Sequence, residues 1–107
     1  MHLITREELK QKLENGDPFT LVMTMHEIAF QQAHIPNSIN IYRLEDALSL
    51  LHPDDEIVVY CTHEGCRASV LAYRLLVENG YRRVRRYAGG LSDWSAAGYP
   101  LAGQVAV

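Results

Sequence analysis

The strongest pattern in the chain is Ile57-Val58-Val59-Tyr60, an unbroken run of β-branched and aromatic residues. Such a run predicts a central parallel strand buried on both faces. The short apolar stretch Phe19 to Met23, with Ser38 to Ile41 and Arg83 to Tyr87, predicts further strands. Between them the period changes from two to that of a helix. Thr5 followed by Glu8 reads as a capping box that opens a helix running to about Glu14, stopped by Asn15-Gly16-Asp17-Pro18. Glu27 to Gln32 predicts one or two helical turns, and Leu44 to Leu51 a short helix closed by His52-Pro53-Asp54-Asp55. From about Arg67 to Asn79, Val70, Leu71, Leu75 and Leu76 fall on helical spacing, and Asn79-Gly80 ends the segment. Gly89-Gly90 breaks the chain before a last helix carrying Trp94, which Gly98-Tyr99-Pro100 terminates. Alternating strands and helices predict an α/β fold, a mostly parallel sheet with helices on both faces. Ligands of such sheets sit outside the carboxyl ends of the strands, the position of Cys61.

The 107 residues fit one domain, 1–107, with 48% apolar and 21% charged residues, a balance typical of a globular chain. Neither an internal repeat nor a low-complexity tract interrupts it. The apolar runs fall short of the ~18 residues that span a bilayer. The N-terminus lacks the basic-then-apolar pattern of a signal peptide, so a cytoplasmic location without membrane association is the expectation. The net charge of −3 is unevenly distributed. Residues 1–56 carry four basic and ten acidic side chains, whereas residues 57–107 carry six arginines and three acidic side chains. The basic half holds Cys61, which favours an anionic ligand.

Candidate chemistry concentrates in Cys61-Thr62-His63-Glu64-Gly65-Cys66-Arg67, between the best strand and the helix after it. Amide groups of such a loop can converge on an anion, and a helix N-terminus adds partial positive charge. A cysteine at the base of that cradle has its pKa lowered, and its thiolate is a nucleophile. The competing reading of Cys61 is a small buried apolar residue at a strand end. Two thiols five positions apart make neither a disulfide framework nor, with only His63 between them, a zinc site, so no metal is expected.

The chain resembles the rhodanese homology domain over nearly its whole length. Three ordered stretches carry the likeness. Ala33-His34-Ile35-Pro36-Asn37-Ser38-Ile39-Asn40 is similar to the family's G-H-I-P-G-A-x-N. Ile57-Val58-Val59-Tyr60-Cys61 is similar to the strand leading into its active-site cysteine. Gly80-Tyr81, Val84, Gly89-Gly90-Leu91-Ser92-Asp93-Trp94 and Gly98-Tyr99-Pro100 follow the pattern of its C-terminal part. The resemblance implies a central sheet of about five strands and a rhodanese-type, thiosulfate sulfurtransferase. Cys61 matches the catalytic cysteine, which takes sulfane sulfur from a small anionic donor such as thiosulfate. It then passes the sulfur to a thiol, a cyanide-like acceptor or an acceptor protein. No cofactor is implied. Thr62, His63, Glu64, Gly65, Cys66 and Arg67 would form the substrate-binding cradle.

Two departures from the family pattern open alternatives. The loop is longer than the usual C-x-x-G-x-[RT], so that Cys61 to Arg67 reads C-x5-R, the spacing of phosphatases and arsenate reductases of rhodanese fold. There Arg67 would grip a tetrahedral oxyanion bidentately, although those enzymes usually carry His where Tyr60 stands. Other sulfurtransferase-like members lengthen the loop with a second cysteine at the place of Cys66, and Ser69 then takes the place of the family serine. A non-catalytic sensor or interaction module is the third alternative. Met23-Thr24-Met25 replaces the family's Asp-x-Arg, which puts loop rigidity in question. Cys66 is either a helix-start residue or a resolving thiol that attacks an oxidised or sulfur-loaded Cys61.

The remaining polar residues carry more modest expectations. His34 is expected to hold its turn by hydrogen bonding, and His63 and Glu64 to face solvent. Arg82, Arg83, Arg85 and Arg86 form a basic cluster without the aromatic platform of single-strand binders, so no nucleic-acid partner is expected. The cluster reads as a solvated strand start or a docking surface for an acidic partner, with Arg86 facing the cysteine mouth. Trp94 and Tyr99 read as anchors of the last helix.

Overall fold

Thr5 opens the first helix as its spacing predicts. Its hydroxyl accepts the Glu8 amide while the Glu8 carboxylate accepts the Thr5 amide. In the computed structural model, which describes residues 1–104, this helix is α1 (Arg6–Asn15), ended by Gly16 in the left-handed region. There follow β1 (Thr20–Met23), α2 (Glu27–Gln32), β2 (Ser38–Asn40), α3 (Leu44–Leu50), β3 (Ile57–Tyr60), α4 (Ala68–Glu78), β4 (Val84–Tyr87) and α5 (Gly90–Ala96). Each predicted element is present, with ends shifted by at most one residue apart from the closing helix, whose limits were left open.

The strands form one parallel sheet in the order β2-β1-β3-β4. The expected count of about five is corrected to four among the described residues. Leu3 makes a single parallel bridge to Arg86 on the outer edge of β4, and the chain cannot continue it because Thr5 already caps α1. This bridge still covers the edge: the Ile4 amide donates to the Arg86 carbonyl, and the Arg86 amide to the His2 carbonyl.

Alternation along the strands divides the core between the two faces. Val22, Ile57, Val59 and Val84 pack with Ala47 of α3 and with Ala72 and Leu76 of α4. Leu21, Met23, Val58, Tyr60 and Tyr87 pack with Leu9 of α1 and Trp94 of α5. β3 is central and buried at all four positions, as its composition predicts. Trp94 is buried, donates to the Pro100 carbonyl at 2.9 Å and meets Tyr99 edge-on at 4.8 Å, so both aromatics do anchor the last helix. Among the described residues no helix is long and apolar enough to cross a membrane.

Tyr60 belongs to the α1/α5 face, opposite the face of Val59. Its hydroxyl accepts the Ile35 amide at 3.0 Å and shares a hydrogen bond with the Ser38 hydroxyl at 2.9 Å. β3 is thereby tied to the turn that enters β2. Burial pushes the Tyr60 hydroxyl from its ordinary value of 10.0 up to about 12. Tyr60→Phe leaves the buried Ile35 amide without its acceptor and is expected to cost about 1–3 kcal/mol in urea unfolding. The folded state keeps the Tyr60 proton to higher pH than the unfolded state, so stability falls as pH rises between the two values. That alkaline decline should flatten in Tyr60→Phe.

Candidate active site at the carboxyl end of β3

Cys61 follows β3 directly and is 1% exposed. From Thr62 to Arg67 the chain turns before α4 begins at Ala68. Two hydrogen bonds from α5 fix the start of this loop: the Leu91 amide donates to the Cys61 carbonyl at 2.9 Å and the Ser92 amide to the Thr62 carbonyl at 2.8 Å. In a trans peptide the C=O and the following N–H point in opposite directions. With both carbonyls turned toward α5, the amides of Thr62 and His63 point away from it, and neither donates to a protein acceptor among the described residues.

The rest of the loop is braced internally. The Cys66 amide donates to the His63 carbonyl at 3.1 Å, and the Gly65 amide to His63 Nδ1 at 3.1 Å. These two amides are therefore occupied inside the loop. His63 and Glu64 are exposed, as expected, and His63 also serves as a turn-forming acceptor. Arg67 is exposed at the start of α4 and makes no ion pair or hydrogen bond through its side chain among the described residues.

The buried cation at the site is Arg86. It is 7% exposed, and its side chain lies on the face of Val84. Nε donates to Ser69 Oγ at 2.8 Å, and Nη2 donates to the Glu64 carbonyl at 3.2 Å. Arg86 thus links the loop to the first turn of α4, and it forms no salt bridge among the described residues. The first turn of α4 holds no acidic side chain either. An uncompensated guanidinium and a helix N-terminus therefore flank the loop, and both favour an anion there.

The other members of the arginine cluster behave differently. Arg83 and Arg85 pair with Glu56, Arg85 also with Glu8, and Arg82 lies 4.0 Å from Asp54. Burial pushes the Glu56 carboxyl up, but Lys12, Arg83 and Arg85 outweigh it and hold it below the usual carboxylate range. Arg82 and Arg83 are exposed immediately before β4, as a solvated strand start implies, and acidic residues of the first half of the chain fold back onto them and onto Arg85. Of the arginines around the loop, Arg67 and Arg86 keep no carboxylate partner among the described residues, and Arg86 is the buried one.

Met23-Thr24-Met25 keeps its loop in place by other means. The Thr24 amide and hydroxyl both donate to the Tyr60 carbonyl, at 3.0 and 3.2 Å. Asn40 Nδ2 donates to the carbonyls of Met23 and Met25, at 3.2 and 2.6 Å. The Met25 sulfur lies 3.9 Å from the Cys66 sulfur. His34 Nδ1 lies 2.7 Å from the Phe30 carbonyl, and its ring stacks on Phe30, in keeping with a role in holding the turn.

Cys61 and Cys66 are joined by a disulfide, with their Cα atoms 6.3 Å apart. The loop therefore brings the two thiols within bonding reach. Sequence reasoning offered this pairing only through a resolving role. The bracing by Asn40, and the use of Ser69 as acceptor for Arg86, left no signal that spacing could reveal.

A family model described as Rhodanese-like domain matches residues 5–97. The sulfurtransferase of Allochromatium vinosum is 29% identical over 100 residues, covering 92% of each chain. The putative sulfur carrier protein YrkF of Bacillus subtilis is 29% identical over 94 residues, which make up 86% of this chain and 50% of that one. The chain thus spans about half the length of that relative. Among solved structures, the BH2092 protein of Bacillus halodurans superposes with a TM-score of 0.85 over 95% of this chain and 77% of the other, at 23% identity, which bears on the fold alone.

Gly90 is where α5 meets the loop. It has φ +67°, and a Cβ there would lie 2.5 Å from the Cys61 carbonyl oxygen and 2.9 Å from the Thr62 carbonyl carbon. Both obstacles are backbone, so relief requires the loop to move. Gly90→Ala is expected to lower stability by about 1–3 kcal/mol. In the reduced protein it should also speed alkylation of Cys61, read by mass spectrometry.

Proposed function

Because the chain belongs to the rhodanese-like domain family, we propose that it is a sulfurtransferase that carries sulfane sulfur as a persulfide on Cys61. The observation that carries this reading is a nearly buried cysteine at the end of the central strand. Its loop carries two amides turned away from α5 and is flanked by the start of α4 and by the Arg86 guanidinium, which is bonded to the Glu64 carbonyl. Desolvation alone would raise the thiol pKa, whereas these donors and the positive charge favour the thiolate.

The active form is the dithiol. The Cys61 thiolate attacks the outer sulfur of thiosulfate, the S–S bond of the donor breaks, and sulfite leaves with the bonding pair. A thiophilic acceptor then attacks the outer sulfur of the persulfide, and the Cys61 thiolate leaves in turn. The anionic persulfide is held by the groups that favoured the thiolate, so one environment serves both halves of the cycle. No cofactor enters this scheme. The acceptor is a small thiol, a cyanide-like nucleophile or an acceptor protein, and the sulfur-carrier naming of YrkF supports the last of these.

Arg67 and the C-x5-R spacing point to the alternative of a phosphatase or arsenate reductase. The side chain that is buried against the loop is instead Arg86, which favours sulfur transfer over a phosphate or arsenate clamp at Arg67.

Two measurements test the reading. Intact mass after incubation of the reduced protein with thiosulfate should show a gain of one sulfur, and both that gain and thiosulfate-to-cyanide turnover should vanish in Cys61→Ser. Sulfur retained in Cys61→Ser would refute the assignment. Arg86→Gln is expected to move the pH profile of Cys61 alkylation in the reduced protein to higher pH, because it removes a positive charge that favours the thiolate. An unchanged profile would remove Arg86 from the electrostatics of the site.

A further inference from the structure

We propose that Cys66 is a resolving thiol that turns the loaded domain over internally, expelling the carried sulfur as hydrosulfide and leaving the Cys61–Cys66 disulfide. The inference rests on the persulfide reading above and adds to it a second exit for the sulfur, one that requires no external acceptor.

Three observations carry it. In the disulfide the loop folds Cys66 back onto Cys61 while β3 and α4 run regularly on either side of it. The fold-back is built in: the Cys66 amide closes a turn on the His63 carbonyl, and Gly65 is braced on His63 Nδ1. Cys61 is 1% exposed with Cys66 bonded to it, so Cys66 is the nucleophile the structure seats against the Cys61 sulfur. A tethered nucleophile acts at an effective concentration on the order of millimolar or higher. The setting of Cys66, half-buried beside Met25 and next to the start of α4, suits a thiol poised to react.

The step balances without an outside oxidant. Cys66 Sγ bonds to Cys61 Sγ as the bond from Cys61 to the outer sulfur breaks. The Cys66 thiol proton moves to the departing sulfur, which leaves as hydrosulfide. The carried sulfane sulfur is reduced and the two cysteines are oxidised to the disulfide. A dithiol reductant then exchanges with that disulfide and restores both thiols, becoming a disulfide itself. Over a full cycle with thiosulfate, the products are sulfite, hydrosulfide and the oxidised dithiol.

The test is a single turnover under nitrogen. Reduced protein is loaded with thiosulfate and desalted without added thiol, then followed by intact mass and by trapping of hydrosulfide with a bimane reagent. Wild type is expected to lose its extra sulfur, release hydrosulfide in matching amount and finish as the Cys61–Cys66 disulfide. Cys66→Ser and Cys66→Ala should hold the sulfur longer by on the order of tenfold or more. The readout is persistence after loading, so a change in loading rate in either variant does not enter. Equal lifetimes in wild type and variants, or hydrosulfide without the disulfide, would overturn the resolving role while leaving the persulfide reading intact. Failure of all three proteins to gain sulfur would overturn the persulfide reading and this inference with it.

Discussion

The site depends on two backbone hydrogen bonds from the start of α5, Leu91 to the Cys61 carbonyl and Ser92 to the Thr62 carbonyl. They decide which way the first two peptide planes of the loop face, and hence where the free amides point. Gly90 allows the approach, since any Cβ there would collide with the loop backbone. Asp93 then holds α5 to the rest of the molecule, accepting from the Tyr87 hydroxyl at 2.6 Å and pairing with Arg6 at 3.0 Å. Desolvation and the Asp93 carboxylate both keep the Tyr87 hydroxyl protonated. The first helix, the last strand and the last helix are therefore mechanically continuous with the cysteine loop.

Several anchors converge on the residues around Cys61 from different directions. Tyr60 is gripped through its hydroxyl by the turn before β2, and its carbonyl accepts both the amide and the hydroxyl of Thr24. Arg86 reaches from β4 under the loop to Glu64 and across to Ser69. Thus β1, β4, α4, α5 and the entry to β2 all hold the cysteine or its neighbours. A loop braced on so many sides spends little free energy on ordering itself when an anion binds, which is what preorganisation supplies at a charged site.

Most of the fold was legible because its signals are local. A β-branched run, a capping box and Gly-terminated apolar helices each report on a few adjacent residues, and those elements lie where the pattern put them. Cys61 was legible as well, because a strand-to-helix turn in a parallel sheet is a fixed address. What escaped was non-local. The fifth strand implied by the family shrinks to the Leu3 bridge, because Thr5 commits the chain to α1 too soon. The missing Asp-x-Arg looked like lost rigidity, yet Asn40, fifteen or more positions away, grips the same loop through carbonyls that every sequence possesses. Likewise, four arginines in five positions looked alike. Strand parity and the carboxylates of a distant segment separate them into paired surface ions and one buried cation.

That separation bears on why an arginine is tolerated inside this molecule at all. Burying an unpaired charge is costly unless hydrogen bonds or a counter-ion compensate it. Arg86 has two neutral acceptors, a serine hydroxyl and a peptide carbonyl, which satisfy donors without cancelling charge. A carboxylate in the same place would stabilise the fold more simply, but it would also neutralise the field at the loop and raise the energy of any sulfur anion on Cys61. The arrangement is intelligible if the missing counter-ion is transient, a thiolate or persulfide present in the reduced and loaded states. On the proposed cycle, closing Cys66 onto Cys61 removes that anion and leaves the guanidinium uncompensated. The charge of Arg86 would then favour the dithiol, the form proposed to load sulfur, over the disulfide.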